Sequence, residues 1–401
     1  MDFSQQANVL VSCPLGAAPF LAEELRSLGF PILRTLPAAV ETHSDLRGCM
    51  RLNLFLRTAN RVMWQILQCR AHTPEQLYTK LKTFPWENLI KSNGYVSVAS
   101  SVENEYIRDS RFANMKVKDA LVDRIRAKTG QRPDAGPEQK GTVLFLYWRG
   151  DECTLYLDTS GEPLSRRGYR LNPWKAPMQE SLAAATILAS PWGGFSSVED
   201  ASQNMCYDGH FLNPMCGSGT LAIEAALMSM NSAPGIMRDN FCFMHDPDYN
   251  AAWWDELLDE AEDAESPTPD IRIIASDHDA KAVEVARSNA KNAGVDSLIE
   301  FSVCDFRQTP VPHAHGTQDT IFMNPEYGKR LGDERELVSC YEEIGNFFKQ
   351  SCNGYTGYIF TGNSNLAKRV GLRTKRRIPF HTADLECRLL EYELYSGSRK
   401  S

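Results

Sequence analysis

Four apolar runs in the second half of this 401-residue chain stop abruptly on polar residues. The first reads FLNP and runs into the glycine turn MCGSGT (211–220). The second, IIAS, ends on Asp277. The third, IEFSVC, ends on Asp305 and Phe306. The fourth, IFM, ends on Asn324, Pro325, Glu326 and Tyr327. Helical patterns alternate with these runs, as in APMQESLAAATILAS (176–190), TLAIEAALMSM (220–230) and HDAKAVEVARSNAKNAG (278–294). Such alternation predicts a doubly wound α/β sheet with parallel strands. Ligands bind such sheets outside the carboxyl ends of their strands. One polar strand end would be unremarkable. Four in order are hard to assign to packing, so a binding site is expected along that edge.

The first half has a different pattern. NVLVSC (8–13) predicts a strand and APFLAEELRSLGF (18–30) a helix. ETHSDLRGCMRLNLFL (41–56) is expected to be strand-like. Residues 75–90 look helical with a break at Pro85, and YVSVASSV (95–102) alternates as a strand does. RFANMKVKDALVDRIRAKTG (111–130) is a basic amphipathic helix, and TVLFLYW (142–148) with CTLYLDTS (153–160) makes a hairpin. This is a mixed α+β region. GEPLSRRGYRLNPW (161–174), rich in Gly, Pro and Arg, is expected to join the halves. A bare nucleotide-binding βαβ unit puts its glycine turn and next acidic strand end about 20 residues apart. Here Met228–Asp270 intervenes, and an inserted loop with an acidic helix is expected there.

Composition adds a contrast in charge. Residues 1–170 hold 23 Lys and Arg against 18 Asp and Glu, and the remainder holds 20 against 33, for a net charge of −8. A basic front joined to an acidic back fits a binding module on a catalytic domain. The eleven cysteines show no metal-ligand spacing, so no metal is expected and thiols in a reducing cytoplasm are. His313 and His315 share a proline-rich loop without evident ligand partners. No apolar run approaches membrane-spanning length, and VLVSCPLGAAPFLA (9–22) lacks the basic start of a signal peptide.

The glycine turn is neither GxGxxG nor a P-loop, which disfavours a dinucleotide and favours another nucleoside-type cofactor. A carboxylate ending the second strand suits ribose hydroxyls. Asp305 and Phe306 would bracket a purine by a hydrogen bond and an apolar contact. GSGT, SDHD, CDF and NPEY in this order resemble the class I S-adenosylmethionine-dependent methyltransferases that modify exocyclic amino groups. DTSGEPLSRRGYR, APMQESLAAA, NPMCGSGTLAIEAA and NPEYGKRLG resemble one branch of these, the THUMP-domain RNA guanine-N2 methyltransferases of the RlmL type. The resemblance covers nearly the whole chain. It implies a ferredoxin-like segment (1–60), a THUMP RNA-binding region (61–165) and a Rossmann-like methyltransferase domain (166–401) with the insertion 228–270. It further implies S-adenosylmethionine as cofactor and RNA as partner, with rRNA favoured over tRNA. Carried over, Asn213, Pro214, Met215, Cys216, Gly217, Ser218, Gly219 and Thr220 would wrap the methionine part of the cofactor. The helix from Pro177 to Ala185 would close that end. Asp277 would hold the ribose and Asp305 the adenine amino group, with Phe306 against the purine. Asn324 would stand between cofactor and target, and Asn324, Pro325 and Tyr327 would hold the target base.

An exocyclic amino nitrogen is a poor nucleophile because its lone pair is delocalised into the ring. The Asn324 side-chain oxygen and the Pro325 carbonyl would accept its two N–H groups and free that lone pair. Tyr327 would offer the base a ring to stack on. Glu326 stands where the family has a second proline, at some loss of rigidity. It either accepts guanine N1–H or is a solvated carboxylate. NPEY alone also fits adenine N6, and a silent RNA binder is a third reading. Arg166, Arg167 and Arg170 either bind RNA or brace the domains. The cations of AKRVGLRTKRR (367–377) form a phosphate-contacting edge or a solvated turn.

Overall fold

The computed structural model describes residues 4–395 apart from 106, 108, 173, 176, 194–206, 208, 267–269, 315–317, 328–333 and 383–384. His315, Ala176 and the GKRLG stretch 328–332, all singled out above, lie outside the described residues.

Alternating Val9 and Val11 bury one face of β1 (Ala7–Ser12) beneath α1 (Ala18–Ser27). β2 (Arg34–Leu36) and β3 (Ala39–Ser44) follow. The strand expected over 41–56 ends at Ser44, and Leu46–Phe55 is a helix, α2. Asp45 caps it, the carboxylate accepting from the Gly48 N–H at 2.7 Å. Leu46, Cys49, Met50 and Asn53 fall on its buried face, with Arg47 and Arg51 outside. That helical period outweighs the strand-like look of the local composition.

β4 (Arg61–Arg70), α3 (Pro74–Leu81), β5 (Tyr95–Glu103), α4 (Ser110–Thr129), β6 (Asp134–Ala135), β7 (Thr142–Arg149) and β8 (Glu152–Asp158) complete the front half. Its strands form one sheet in the order β2-β3-β1-β4-β8-β7-β5-β6. β4 is long enough to serve two neighbourhoods. Arg61 to Trp64 pair with β1, and Met63 to Arg70 pair with β8 across a bulge between Gln65 and Leu67.

The second sheet contains β9 (Phe211–Pro214), β10 (Ile273–Asp277), β11 (Ile299–Val303), β12 (Thr320–Met323), β13 (Thr356–Thr361), β14 (Arg376–Thr382) and β15 (Leu385–Glu393). Their order is β11-β10-β9-β12-β13-β15-β14. The first five are parallel, and β15 runs antiparallel to both β13 and β14. The helices are α5 (Glu180–Leu188), α6 (Thr220–Ser229), α7 (Ala251–Asp263), α8 (Ala280–Asn292), α9 (Glu334–Ser351) and α10 (Ser364–Arg369). Strand residues alternate between two cores. Phe211 and Phe322 join the core under α6 and α8, whereas Leu212 and Ile321 join the one under α9 and α10. This is the doubly wound arrangement expected from the alternation of strand and helix.

The joining segment 161–172 is a partly buried strap. Leu164, Arg167 and Tyr169 are almost fully enclosed. Arg167 donates to the carbonyls of Leu164 (2.8 Å) and Arg57, and lies 3.6 Å from the buried Glu224. Tyr169 donates its hydroxyl to the same carboxylate at 3.0 Å. Arg167 is therefore a brace, while Arg166 stays exposed beside Glu162. The insertion works in the same direction. Arg51 of α2 forks onto Glu260 of α7 at 2.5 and 2.6 Å. Arg238 donates to the carbonyls of Ser160, Glu162 and Pro163. Both features fasten the front half to the back.

Candidate active site

β9 lies between β10 and β12, where the strand order reverses and a crevice opens beyond the strand ends. Asn213 sits on this line. Its Nδ2 donates to the Phe322 carbonyl of β12 at 3.0 Å, which leaves Oδ1 as the free atom, buried and without a partner. After Pro214 the chain turns sharply, with φ of 61° at Met215, 54° at Gly217 and 82° at Gly219. A left-handed methionine is an uncommon expense for a backbone and marks a loop held for function. Gly219 serves packing, since a Cβ there would lie 2.9 Å from that of Ala286 on α8. Gly217 faces open space, for a Cβ there would meet nothing within 4 Å. The Cys216 thiol is buried, which raises its pKa and keeps it neutral. The Ser218 and Thr220 hydroxyls lie 3.3 Å apart at the start of α6.

Asp277 closes this loop from the next strand. One carboxylate oxygen accepts the Gly217 N–H and the other the Asp279 N–H, each at 3.0 Å. It is thus fixed in place with lone pairs to spare. Asp305, one strand further out, is less free. Arg307 forks onto it at 2.7 and 2.9 Å, and this ion pair holds its carboxyl below the usual range. Phe306 is turned into the core and packs edge-on against Phe347 at 5.8 Å.

β12 delivers NPEY beside β9. The Asn324 Oδ1 is also buried with no partner, and Pro325 is buried behind it. Glu326 is exposed. The half-buried Tyr327 ring sits edge-on to Phe360 at 6.3 Å. Its hydroxyl accepts from the Cys387 thiol at 3.7 Å, and burial raises its pKa. Gly362 makes room for this ring. A Cβ there would lie 3.2 Å from the tyrosine ring and 2.7 Å from Leu385, which is exposed at the same lip. Buried acceptors without partners cost roughly 1–3 kcal/mol each. Two of them, on adjacent strands at the reversal of strand order, make this crevice the candidate site.

The glycine loop, Asp277 and NPEY follow neighbouring strands at the reversal of strand order, with Asp305 one strand further out, paired to Arg307, and Phe306 packed inward. Arg170, expected to bind RNA or brace the domains, also reaches the loop. Arg170 of the strap donates to Thr220 Oγ1 at 2.8 Å, with Glu180 of α5 alongside it at 3.4 Å. Glu180 lies in the helical pattern 176–190, but nothing in the sequence pairs it with Arg170. α5 itself begins at Glu180, so Pro177 to Gln179 approach the loop as extended chain. The basic run 367–377 lies at the far end of the same sheet. Arg376 is in register with Glu391, which opposes Tyr358 near the start of β13. Half of its cations have internal partners, Lys375 with Glu391 and Glu393, Arg376 with Glu391, and Arg369 with Glu342. Among the described residues no cluster of His, Cys, Asp or Glu is placed to hold a metal. None of their helices is long and apolar enough to cross a membrane.

Residues 167–391 match the family model of the RMKL-like methyltransferase domain. The chain belongs to this family. Residues 8–63 match the RlmL ferredoxin-like domain and residues 71–158 the THUMP domain. The ribosomal RNA large subunit methyltransferase K/L of Syntrophotalea carbinolica is 37% identical over 386 residues, covering 96% of this chain and 53% of that protein. The chain therefore spans about half the length of that curated relative. A Synechocystis protein named as an RNA methyltransferase is 33% identical over 95% of both chains. Among family-like solved structures, SMU.472 in complex with SAH has a TM-score of 0.84 at 25% identity and covers 99% of this chain and all of its own. A Listeria monocytogenes protein described as an N6-adenine-specific DNA methylase has a TM-score of 0.83 at 28% identity, covering 98% and 97%.

Proposed function

We propose that this protein transfers a methyl group from S-adenosylmethionine to the exocyclic N2 of a guanine in RNA, with large-subunit rRNA as the substrate. The observation that carries this reading is the pair of unsatisfied amide oxygens on Asn213 and Asn324, flanking the crevice between β9 and β12. Its support from relatives is the rRNA methyltransferase K/L of Syntrophotalea carbinolica and the SAH bound by SMU.472. The reading takes residues 1–60 and 61–165 as the RNA-holding front. Residues 166–401, with the insertion 228–270, are the transferring unit.

The residues present fit the cofactor. Gly217 leaves open space beside a loop bent by three left-handed residues, and the fixed Asp277 carboxylate stands over it. Residues 213–220 would hold the amino-acid end and Asp277 the ribose. Asp305 would reach the adenine amino group with the acceptor capacity that Arg307 leaves. When bound, S-adenosylmethionine supplies an electrophilic methyl group. Asn324 Oδ1 and the Pro325 carbonyl accept the two hydrogens of the target amino group. That draws the nitrogen toward a pyramidal form with its lone pair free, and positioning does most of the rest. The Tyr327 ring offers a stacking surface to the extruded base. Glu326, exposed beside it, accepts guanine N1–H and meets the N1 lone pair of adenine with repulsion.

Adenine N6 is the second reading, because the same two acceptors suit its amino group and the Listeria monocytogenes relative is described as an adenine methylase. The test is incubation with methyl-labelled cofactor and unmodified large-subunit rRNA, tRNA or duplex DNA, followed by nucleoside analysis. N2-methylguanosine in rRNA is the expected product. N2-methylguanosine in tRNA alone would move the substrate, and N6-methyladenine would replace the reading. Cofactor binding without transfer to any of the three would favour a silent RNA binder.

A further inference from the structure

We propose that Arg170 is the cation that holds the α-carboxylate of the cofactor's amino-acid end. This rests on the reading that the glycine loop binds S-adenosylmethionine. Arg170 leaves the strap with its side chain almost enclosed, at 13% exposure. Its Nη2 donates both to the Met178 carbonyl (2.7 Å) and to Thr220 Oγ1 (2.8 Å), where α6 begins. Among the described residues Nη1 has no hydrogen-bond partner, and Nε is buried without one. The guanidinium is thus pinned at the loop with donors unused. Five donors in a rigid fork are more than two neutral acceptors satisfy.

Charge points the same way. A carbonyl and a hydroxyl orient a cation but do not neutralise it. Glu180 is the nearest carboxylate, 3.4 Å from Nε, and burial raises its pKa, which disfavours its charged form. The other charged groups packed here, Arg167 and Glu224, are engaged with each other and with Tyr169. The first turn of α6 adds the positive end of its helix dipole. A partly compensated cation beside a helix N-terminus calls for an anion.

The ligand's geometry supplies one. Asp277 meets the loop at Gly217, and a ribose held there would leave the other end of the cofactor to the rest of the loop, which closes at Thr220 beside Arg170. That other end carries a carboxylate and an ammonium. A guanidinium binds a carboxylate through paired, charge-assisted hydrogen bonds. Glu180 then acts as a positioning residue, keeping the fork turned toward the loop.

Two ligands separate this role from a structural one. S-adenosylhomocysteine has the carboxylate, and 5′-methylthioadenosine lacks the whole amino-acid group. Calorimetric titration of the full chain and of Arg170→Met with both ligands reads the difference. The expected result is a loss of about 10- to 100-fold for S-adenosylhomocysteine, with methylthioadenosine affinity within about twofold. Arg170→Lys, which keeps the charge and loses the fork, should fall between, and it gives the same ratio if the methionine variant does not fold. Equal weakening of both ligands would make Arg170 a brace only and overturn the proposal. No change for either would overturn it as well. Failure of the unaltered chain to bind either ligand would instead defeat the cofactor reading on which it stands.

Discussion

The two ends of the second sheet solve opposite problems. At the N-terminal end every carboxylate near the basic run is engaged. Glu391 is buried and receives Tyr358 at 2.8 Å, Arg376 at 2.6 Å and Lys375 at 3.6 Å. At the C-terminal end the chain leaves bonding capacity unspent, in Asn213, Asn324 and Arg170. One end folds much of its charge into ion pairs around a buried carboxylate. The other leaves amide oxygens on two adjacent strands without partners at the reversal of strand order. That placement, rather than charge density, is what makes the second end the candidate site.

Four experiments would break or sharpen that contrast. Asn324→Ala should reduce methyl transfer by about 10²- to 10³-fold, since it removes one of the two acceptors proposed for the reacting nitrogen. Cofactor affinity measured in parallel should change little, and an active variant would remove Asn324 from the chemistry. At the other end, Glu391→Ala should lower unfolding free energy by about 3 kcal/mol in urea titrations, because Arg376 is left partly buried without its counter-charge. The protein that remains folded should keep its turnover. An equal loss of turnover would erase the division of labour between the ends.

Gly362→Ala comes next. A methyl group there presses on Tyr327 and Leu385, so KM for RNA should rise about tenfold while cofactor affinity holds. A fall in kcat at constant KM would mean that the tyrosine does something other than seat the base. The smallest effect is expected from replacing Lys368, Arg373 and Arg377 together by alanine. These cations have no acidic partner among the described residues, yet they lie away from the crevice. RNA affinity should stay within about threefold and its salt dependence should barely change. A salt slope reduced by about three would show that this end also touches phosphate.

Local signals made much of this legible from sequence alone. The glycine turn and NPEY announce themselves because their residues are contiguous, and the strand–helix alternation fixes which way they face. What escaped was tertiary or ambiguous. The helix Leu46–Phe55 hid behind a strand-like composition, although Leu46, Cys49, Met50 and Asn53 carried a helical period. Arg170 and Glu180 stand ten positions apart, one in the joining segment and one at the start of a helical pattern, and only folding brings both beside Thr220. The basic run read as a phosphate-contacting edge or a solvated turn, and the acids that pair with Lys375 and Arg376, Glu391 and Glu393, lie on a different strand. The insertion's task was equally invisible, since its partners in α2 are some two hundred residues away in sequence.

β4 carries a mechanical consequence. A strand that belongs to two neighbourhoods at once cannot flex between them without tearing its ladders, so the front half lacks a joint at that point. With the strap and the insertion riveted across the interface, the front half stands at a set span from the crevice, as the jaw of a calliper stands from its anvil. On the proposed function, an RNA whose grip point and target base are spaced differently would be refused by length, before any base is inspected.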